Sequence, residues 1–398
     1  EGFSEFTQLY LYDTPVWEIL SFLNAPGTQL NSWAEEPGTR PQNYGASLLF
    51  TTYFYDRYGL DALQQLSADP SIRGFEGVDN VLRAMGEPGV DDFFADWVIA
   101  NFLFNTSVGD GRYGYASIRD GVLSATAAET VTEYPYAADR SVNQYATDYV
   151  TLANLDDADT LTIQVTAPVT APLVQENAYS GQRMWYSNKA DVSSTTLTRA
   201  FDLSGVDSAT LSYHVWYHTE QFWDYGYVMA SDDGGVTWDI LATDNTTTEN
   251  PHNTAYGAGY TGVSGGWVSE TVSLDAYAGG EVLVRFQSIT DDAVTRPGLL
   301  VDDVGISEID YFSDFESDGG GWDAEGWVWI DNILPQQVWV QAVQQTVSDA
   351  TVTRWQAPAA STWTLPLEPG VELVTLAISP FAPVTTVPMN YTLEVSAD

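Results

Sequence analysis

Acidic side chains between residues 191 and 316 are the most numerous candidates for chemistry. Calcium takes roughly six to eight oxygen ligands, which carboxylates and loop carbonyls supply. Acids that are distant in sequence converge at the sheet edges of a jelly roll, where close pairs repel unless a cation lies between them. The acids considered are Asp191, Glu220, Asp224, Asp291, Asp292, Asp302, Asp303, Asp314 and Glu316. The expected calcium ligands are Asp191, Glu220, Asp224, Asp292 and Asp303. The alternative reading of each is a solvated surface acid.

The histidines do not form a zinc motif. The chain has three of them, His214, His218 and His252. His214 and His218 have the spacing of H-E-x-x-H but lack its glutamate, and they lie in a strand pattern. Four residues of strand span about 13 Å, which is too far for two ligands of one ion. The two histidine ligands and the general base of such a motif are therefore absent from this sequence.

The N-terminal segment carries a possible third zinc ligand. Catalytic zinc needs three protein ligands and one open position. In zinc peptidases of the thermolysin-like class, the third ligand is a glutamate in a segment that reads N-E-[GA]-[FIL]-[SA]-[DE]. The sequence EGFSE at residues 1–5 resembles this segment, which makes Glu1 the matching residue. The alternative is that Glu1 is an ordinary surface carboxylate.

A second segment resembles the next helix of the same peptidases. It reads YGASLLF at residues 44–50 and is followed by Tyr53 and Tyr58. A tyrosine at the start of that helix can donate a hydrogen bond to the oxyanion of the tetrahedral intermediate. Tyr44 is the matching residue. The alternative is that Tyr44 only packs at the helix start.

The segment SDDGGVTW at residues 231–238 matches the Asp-box, S-x-D-x-G-x-T-W. Asp233 and the two glycines permit a tight β-hairpin turn. Thr237 and Trp238 are expected to fix the strand that follows. The pattern therefore predicts a structural turn and not a catalytic site.

The periodicity of apolar residues divides the chain into a helical and a β-rich part. Helical spacing is present up to residue 104. The predicted helical segments are 1–12, 16–23, 44–58 (ended by Gly59), 61–68, 75–85 and 90–104. After about residue 113, short alternating runs predict strands. Examples are 160–165, 210–216, 225–230, 267–272, 282–287, 327–330, 338–343, 351–355, 371–378 and 391–395. Residues 105–114 contain three glycines and predict an exposed connection.

Composition excludes several classes of function. The 398 residues include 13 Lys and Arg and 55 Asp and Glu, a formal net charge of −42. Such a field repels phosphate backbones and anionic lipids, so nucleic-acid binding is not expected. No apolar run is long enough to span a membrane. The absence of cysteine and the richness in Trp, Tyr and Gly favour a secreted β protein, found outside the cell or at its surface.

Together these segments resemble secreted bacterial zinc metallopeptidases of the immune inhibitor A type. The β part carries further resemblance in residues 184–189, 196–205, 216–225, 290–294, 300–305 and 314–335. The resemblance implies an α+β multidomain protein. Its expected parts are a helical C-terminal half of a zincin-like catalytic domain (1–107), an antiparallel jelly-roll sandwich (108–310) and a smaller C-terminal β module (311–398). The helical part is expected to be the least stable, held by docking onto the jelly roll or a partner chain.

The resemblance implies peptide hydrolysis only if an upstream H-E-x-x-H segment is supplied, and an inactive chain otherwise. Glu1 would then bind zinc and Tyr44 would stabilise the oxyanion, with calcium bound in the β part. The expected partners are a protein or peptide substrate, a separately cleaved N-terminal chain, or other copies of this chain. Two alternatives remain open. One is a structural protein of a matrix, filament or surface layer, and the other is a carbohydrate-binding β module.

Overall fold

The computed structural model describes residues 2–12, 17–33, 37–68, 74–118, 123–357 and 360–398. The chain divides into two compact units. Unit 1 consists of Glu1–Leu173 and Leu334–Asp398, and unit 2 consists of Val174–Ile333. Among the described residues, two hydrophobic cores lie in unit 1 and one lies in unit 2.

The helices of the described residues all lie in unit 1, apart from short 3₁₀ turns. They are α1 (Gly2–Tyr12), α2 (Trp17–Leu23), α3 (Arg40–Leu66), α4 (Gly74–Ala84) and α5 (Val90–Leu103). A 3₁₀ turn at Pro37–Thr39 precedes α3, and two more lie in unit 2 at Asp275–Tyr277 and Ser307–Ile309. These helices agree with the apolar spacing of the sequence.

Helix α3 joins two helical stretches across a kink. Gly59 has φ 81° and ψ 179°, outside the helical region. Glycine adopts positive φ without the steric cost that a Cβ brings. Gly59 therefore interrupts the helix where the sequence predicts an end, but the chain resumes helical geometry and continues to Leu66.

The strands are numbered along the chain. Unit 1 begins with β1 (Glu129–Val131), β2 (Tyr136–Val142), β3 (Asp148–Leu152), β4 (Thr160–Thr166) and β5 (Thr170–Ala171). Unit 2 contains β6 (Met184–Tyr186), β7 (Ser194–Asp202), β8 (Thr210–His218), β9 (Tyr225–Ser231), β10 (Asp239–Ile240), β11 (Val268–Ser273), β12 (Glu281–Ile289), β13 (Gly298–Ile306), β14 (Tyr311–Ser313), β15 (Asp323–Glu325) and β16 (Val328–Ile330). Unit 1 resumes with β17 (Leu334–Pro335), β18 (Val338–Gln345), β19 (Ala350–Ala357), β20 (Ser361–Pro366), β21 (Leu373–Pro380) and β22 (Met389–Ala397).

Unit 1 has three layers, which are two β-sheets and the helices that pack on one of them. One sheet has the strand order β1-β3-β21-β18-β19 and a second has the order β2-β22-β4-β20. The two sheets enclose a core that includes Val150, Ile163 and Leu376. Successive residues of a strand point to opposite faces of its sheet. Tyr149 therefore faces away from that core and joins a second core with Phe94 and the other helical side chains.

Unit 2 is a sandwich of two mainly antiparallel sheets. Their orders are β10-β9-β12-β7-β15 and β11-β8-β13-β6-β16, with β14 paired to β13. From β6 to β9, successive strands alternate between the two sheets. Strand β12 alternates buried and partly buried residues along its length, which is the pattern of a strand with one face in the core. Leu197, Val215 and Phe286 lie in the core between the sheets.

The compact units differ from the predicted segments 1–107, 108–310 and 311–398. The reason is the pairing of strands that are distant in sequence. Strand β3 pairs with β21, and β2 and β4 pair with β22, so residues before unit 2 complete the sandwich of the C-terminal strands. The helices pack on this sandwich within unit 1. The sequence analysis instead expects them to dock onto the jelly roll or a partner chain. The predicted strand runs are found in strands, and the chain is rich in β-sheet as expected.

Candidate functional site

Tyr44 lies in the first turns of α3, as the sequence predicts. Its ring meets the ring of Trp33 edge-on, with the centroids 4.8 Å apart. The carbonyl of Tyr44 accepts a 3.1 Å hydrogen bond from Ser47 Oγ. Tyr44 is partly buried. Glu1, the predicted zinc ligand, lies outside the described residues.

The start of α1 packs closely against α3, one turn beyond Tyr44. A Cβ added to Gly2 would lie 2.3 Å from Thr51 Oγ1 and 2.6 Å from the Ser47 carbonyl oxygen. Only glycine fits here, because a Cβ essentially never comes within 3.0 Å of a heavy atom outside its own residue and the two residues next to it in the chain. The residue that follows Glu1 is therefore fixed beside the helix that carries Tyr44.

An apolar cavity opens beside this contact. Its volume is about 240 Å³, and α1, α3 and α4 contribute most of its walls. The main apolar lining residues are Phe3, Phe50, Phe54, Leu66, Phe75 and Val78. Large apolar side chains are also exposed on α1 and α2, among them Leu11, Tyr12 and Trp17 at 60%, 74% and 61%. The helices α1 to α4, called here the helical layer, therefore carry both exposed apolar side chains and an apolar cavity.

Three acids from different loops of unit 2 come together. Asp224 precedes β9, Asp291 follows β12, and Asp191 lies between β6 and β7. The amide of Asp291 donates a 2.9 Å hydrogen bond to Asp224 Oδ1, and Thr295 Oγ1 donates a 2.6 Å bond to Asp191 Oδ1. Burial, together with the carboxylates of Asp291 and Asp191, raises the pKa of Asp224 to about 6. We call these three residues the acid cluster.

The other predicted calcium ligands, Glu220, Asp292 and Asp303, are not members of the acid cluster. Glu220 contributes its carbonyl, which accepts hydrogen bonds from the amides of Trp223 and Asp224 at 3.2 and 3.0 Å. Asp292 is exposed, and its neighbour Asp291 is the residue that contacts Asp224. Asp303 accepts a 2.7 Å hydrogen bond from Ser180 Oγ at another place. Within the described ranges, no group of three or more His, Cys, Asp or Glu side chains is placed so that it could hold a metal ion.

Asp302 is a buried acid that fixes a loop. Its carboxylate accepts hydrogen bonds from the amides of Tyr179 and Ser180 at 2.9 and 3.2 Å. The ring of Tyr179 stacks on His214 of β8 with centroids 3.5 Å apart. Burial raises the pKa of Asp302 to about 7 against these hydrogen bonds, and the carboxylate of Asp303 adds to the rise. Sequence reasoning counted Asp302 among the acids but did not select it.

Residues 232–238 form the expected turn between β9 and β10. Asp233 Oδ1 accepts hydrogen bonds from the amides of Val236 and Thr237, and Asp233 Oδ2 accepts one from Thr237 Oγ1. These bonds lower the pKa of Asp233 below its ordinary value. All of its partners lie within the turn, so its arrangement is that of a structural turn.

A family comparison places this sandwich among known domains. Residues 148–329 match the model described as "Immune inhibitor A-like, MAM domain". The match confirms the resemblance to immune inhibitor A that the sequence predicts. We call residues 148–329 the MAM region. It begins in β3 and ends in β16, so it includes nearly all of unit 2 and does not include the helices.

Three curated relatives are similar over about a third of the chain. The Pre-pro-metalloprotease PrtV of Vibrio cholerae serotype O1 is 29% identical over 130 residues, which are 33% of this chain and 13% of PrtV. Bacillopeptidase F of Bacillus subtilis is 26% identical over 148 residues, 35% of this chain and 9% of that protein. Immune inhibitor A of Bacillus thuringiensis subsp. alesti is 27% identical over 143 residues, 35% of this chain and 19% of that protein. The similarity thus spans less than a fifth of each relative.

The described residues also contain no helix that is both long and apolar enough to cross a membrane.

Proposed function

We propose that this chain is the C-terminal part of a secreted metallopeptidase, which hydrolyses peptides only when an upstream segment supplies an H-E-x-x-H helix. The match of the MAM region to the immune inhibitor A-like model supports the peptidase class, and so does the similarity of about a third of the chain to a protein named as a metalloprotease and to immune inhibitor A. The substrate would be a protein or peptide, and the site of action would be outside the cell.

One observation carries the proposal, which is the close packing of Gly2 against Ser47 and Thr51. It fixes the beginning of α1 against residues of α3 that lie about one and two turns beyond Tyr44. A zinc ligand at Glu1 and an oxyanion donor at Tyr44 have to lie near one reacting carbonyl group. The contact between the two helices supports this arrangement, because it brings the chain positions next to both residues together.

The apolar surface of the helical layer supports the proposal that an upstream segment binds there. Exposed side chains such as Leu11, Tyr12 and Trp17 lie on α1 and α2, and an apolar cavity lies between α1, α3 and α4. Exposed large apolar side chains and an open apolar cavity on an acidic protein are features of interaction sites. An upstream segment that carries the two histidines would bury this surface and complete the zinc site.

Each residue of the proposed site has a separate task. Glu1 and two upstream histidines would hold zinc, which supplies a Lewis acid and lowers the pKa of bound water. The Tyr44 hydroxyl would donate a hydrogen bond to the oxyanion, and Trp33 would hold the Tyr44 ring in place by its edge-on contact. A Tyr44 hydroxyl donor stabilises charge that is present only in the transition state, so it acts on kcat.

Calcium is the second proposed ion. The acid cluster has the hard oxygen chemistry that calcium prefers, and Asp224 is almost fully buried beside two further carboxylates. Binding would require the Asp191 and Asp224 side chains to turn toward a common point, with the Glu220 carbonyl or carboxylate nearby. The ion would remove the repulsion that raises the Asp224 pKa.

The deciding experiment restores the upstream segment. Residues 1–398 and a longer form that includes the H-E-x-x-H helix are purified, and casein cleavage is measured with added Zn²⁺ and with a chelator. The longer form should cleave and lose activity on chelation, whereas residues 1–398 should not cleave.

Two results would contradict the proposal. Chelator-sensitive cleavage by residues 1–398 would show that the active site does not need an upstream segment. An inactive longer form that assembles through interfaces larger than about 1,000 Å² would favour the structural alternative.

A further inference from the structure

Two loops of unit 2 expose an aromatic pair to solvent. Trp223 lies in the loop between β8 and β9, and His252 lies in the long connection between β10 and β11. Their rings are 3.8 Å apart and nearly parallel, at 8°. His252 is exposed, Trp223 is 37% exposed, and Tyr256 on the second loop is 74% exposed. The Trp223 indole is partly exposed and stacked on the His252 imidazole, so this pair offers an aromatic surface on which another ring could stack.

The backbone beside Trp223 is strained and tightly held. Phe222 has φ 67°, a conformation that bulky residues rarely adopt and that surrounding contacts must enforce. Its amide donates a 2.7 Å hydrogen bond to Thr261 Oγ1, and its carbonyl accepts a 3.0 Å bond from Thr254 Oγ1. Both hydroxyls come from the second loop. Strain of this kind is concentrated at sites where a side chain must be positioned.

The second loop is equally fixed. Tyr225 Oη donates a 2.8 Å hydrogen bond to the Glu249 carbonyl, and the Tyr256 amide donates a 3.1 Å bond to Tyr227 Oη. Asn250 donates to and accepts from Ala255 at 3.0 Å in both directions. The two exposed loops are therefore rigid, so a ligand that binds them would not have to order them first.

The exposed residues of these loops have a particular chemistry. The loops 219–224 and 248–262 contain no lysine or arginine. Besides the three rings, they expose amide, hydroxyl and carboxylate groups, including Gln221, Thr248, Glu249 and Asn253. Aromatic rings pack against the C–H faces of sugar rings, and amides and carboxylates bond to sugar hydroxyls. The lack of lysine and arginine in these loops, together with the acids Glu220 and Asp224, disfavours phosphorylated, sulfated or uronic sugars.

We propose that Trp223 and His252 form the centre of a binding site for neutral carbohydrate. The occupant is a pyranose ring that stacks on the exposed aromatic surface, with its hydroxyls bonded to the flanking amides. Binding requires neither zinc nor peptide hydrolysis, so it would serve to hold the protein on a polysaccharide or glycoprotein surface.

The test uses the full chain and defined oligosaccharides. Cellohexaose, chitohexaose, laminarihexaose and mannohexaose are titrated by calorimetry, and tryptophan fluorescence is followed in parallel. At least one should bind and change the fluorescence. Trp223→Ala and His252→Ala should each weaken binding by at least about tenfold, which corresponds to about 1.4 kcal/mol.

Matched variants separate the site from the fold. Phe312→Ala removes another exposed aromatic ring of unit 2 and should leave binding unchanged. Thr261→Val removes the hydroxyl that holds Phe222 without touching the rings, and it should weaken binding by a smaller factor. Each variant is compared with the unaltered chain by circular dichroism, so that an unfolded variant is recognised.

Two outcomes would overturn the proposal. One is the absence of binding to all four hexasaccharides at millimolar concentration. The other is binding that Trp223→Ala and His252→Ala leave intact. A hexa-arginine peptide is titrated alongside, because an acidic aromatic surface also suits a cationic side chain. Trp223-dependent binding of that peptide without any sugar binding would assign the surface to basic protein partners instead.

Discussion

The amide of Asp291 donates a 2.9 Å hydrogen bond to Oδ1 of Asp224 and thereby holds two acids from different loops side by side. Asp224 is 2% exposed, so its charge is removed from water while a second carboxylate lies next to it. Burial and the acids at positions 291 and 191 raise its pKa to about 6. A buried acid cluster of this kind destabilises unit 2 unless a proton or a cation compensates it.

Calcium removal should therefore lower the stability of unit 2. An ion that binds only the folded state adds RT ln(1 + [L]/Kd), about 2.7 kcal/mol at a 100-fold excess over Kd. We expect the melting temperature to fall on chelation and to recover with Ca²⁺. Differential scanning calorimetry at neutral pH measures the change.

Asp224→Asn distinguishes calcium binding from a general salt effect. The amide removes a buried charge, so this variant should be more stable than the unaltered chain in chelator and should no longer respond to Ca²⁺. Asp292→Asn changes the same charge at an exposed neighbour and should respond normally. Equal calcium responses of both variants would remove the acid cluster from the proposal.

The acid cluster also shows where sequence reasoning reaches its limit. The sequence places acids after β12 and before β9. The backbone conformation of each loop, however, decides which of two neighbouring residues contacts the other loop. The main-chain amide of Asp291 contacts Asp224, and Asp292 is exposed. The spacing of residues could not separate these two acids, because the choice depends on contacts between distant loops.

The same limit applies to the fold. Strand runs such as that of β12 are local patterns, and the sequence predicts them. The pairing of β3 with β21 joins residues more than 200 positions apart. No local pattern specifies such a pairing, so the sandwich of unit 1 was divided between two predicted segments. The kink at Gly59 was predictable, since a single residue determines it.

The stability of unit 2 should also depend on the protonation of Asp302. Its pKa is raised from 3.8 to about 7 by burial. Because the folded-state pKa lies above the unfolded one, the folded state binds this proton more tightly. The contribution to the free energy of unfolding is therefore complete below pH 3.8 and is lost as the pH rises through about 7.

Urea unfolding of unit 2 between pH 4 and 8, in chelator, measures this dependence. Asp302→Asn should reduce the slope over this range and flatten the profile above about pH 6, since its amide does not titrate, whereas Asp224 still contributes a slope up to its pKa of about 6. Asp244→Asn, at an exposed acid of the same unit, should keep the slope. A profile that Asp302→Asn leaves unchanged would show that other groups produce the dependence.

Tyr44 and Glu1 should affect different steps in an active longer form. Tyr44→Phe removes a hydrogen bond that we assign to the transition state, and loss of one oxyanion donor lowers kcat by about 100-fold or more. KM and zinc content should remain unchanged. Tyr256→Phe, at an exposed tyrosine of unit 2 outside the proposed zinc site, should have no effect on kcat.

Glu1→Gln should act through the metal. An amide is a much poorer zinc ligand than a carboxylate, so the variant should retain little zinc after dialysis, as measured by atomic absorption. Full zinc content in this variant would exclude Glu1 as a ligand, and an unchanged kcat in Tyr44→Phe would exclude Tyr44 as the oxyanion donor.

The helices and the C-terminal sandwich should unfold together, because side chains of the sheet bind carbonyls and an acid of α5. Gln341 Nε2 donates a 3.0 Å hydrogen bond to the Ala95 carbonyl, and Tyr149 Oη donates a 2.7 Å bond to the Val98 carbonyl. Arg354 of β19 donates to Gln341 and to Asp96 of α5.

Removal of a hydrogen bond to a charged group costs about 1.5–3 kcal/mol. Arg354→Ala should therefore lower the free energy of unfolding of unit 1 by about 2 kcal/mol and accelerate hydrogen exchange in α5, β18 and β21 by similar factors. Arg83→Ala, which removes an exposed arginine that pairs with Asp79 within α4, should leave both quantities unchanged. If α5 instead exchanged faster while β18 and β21 kept their protection, the helices would be a separate, weaker unit, as the sequence alone suggested, and limited proteolysis between residues 105 and 114 would release them first.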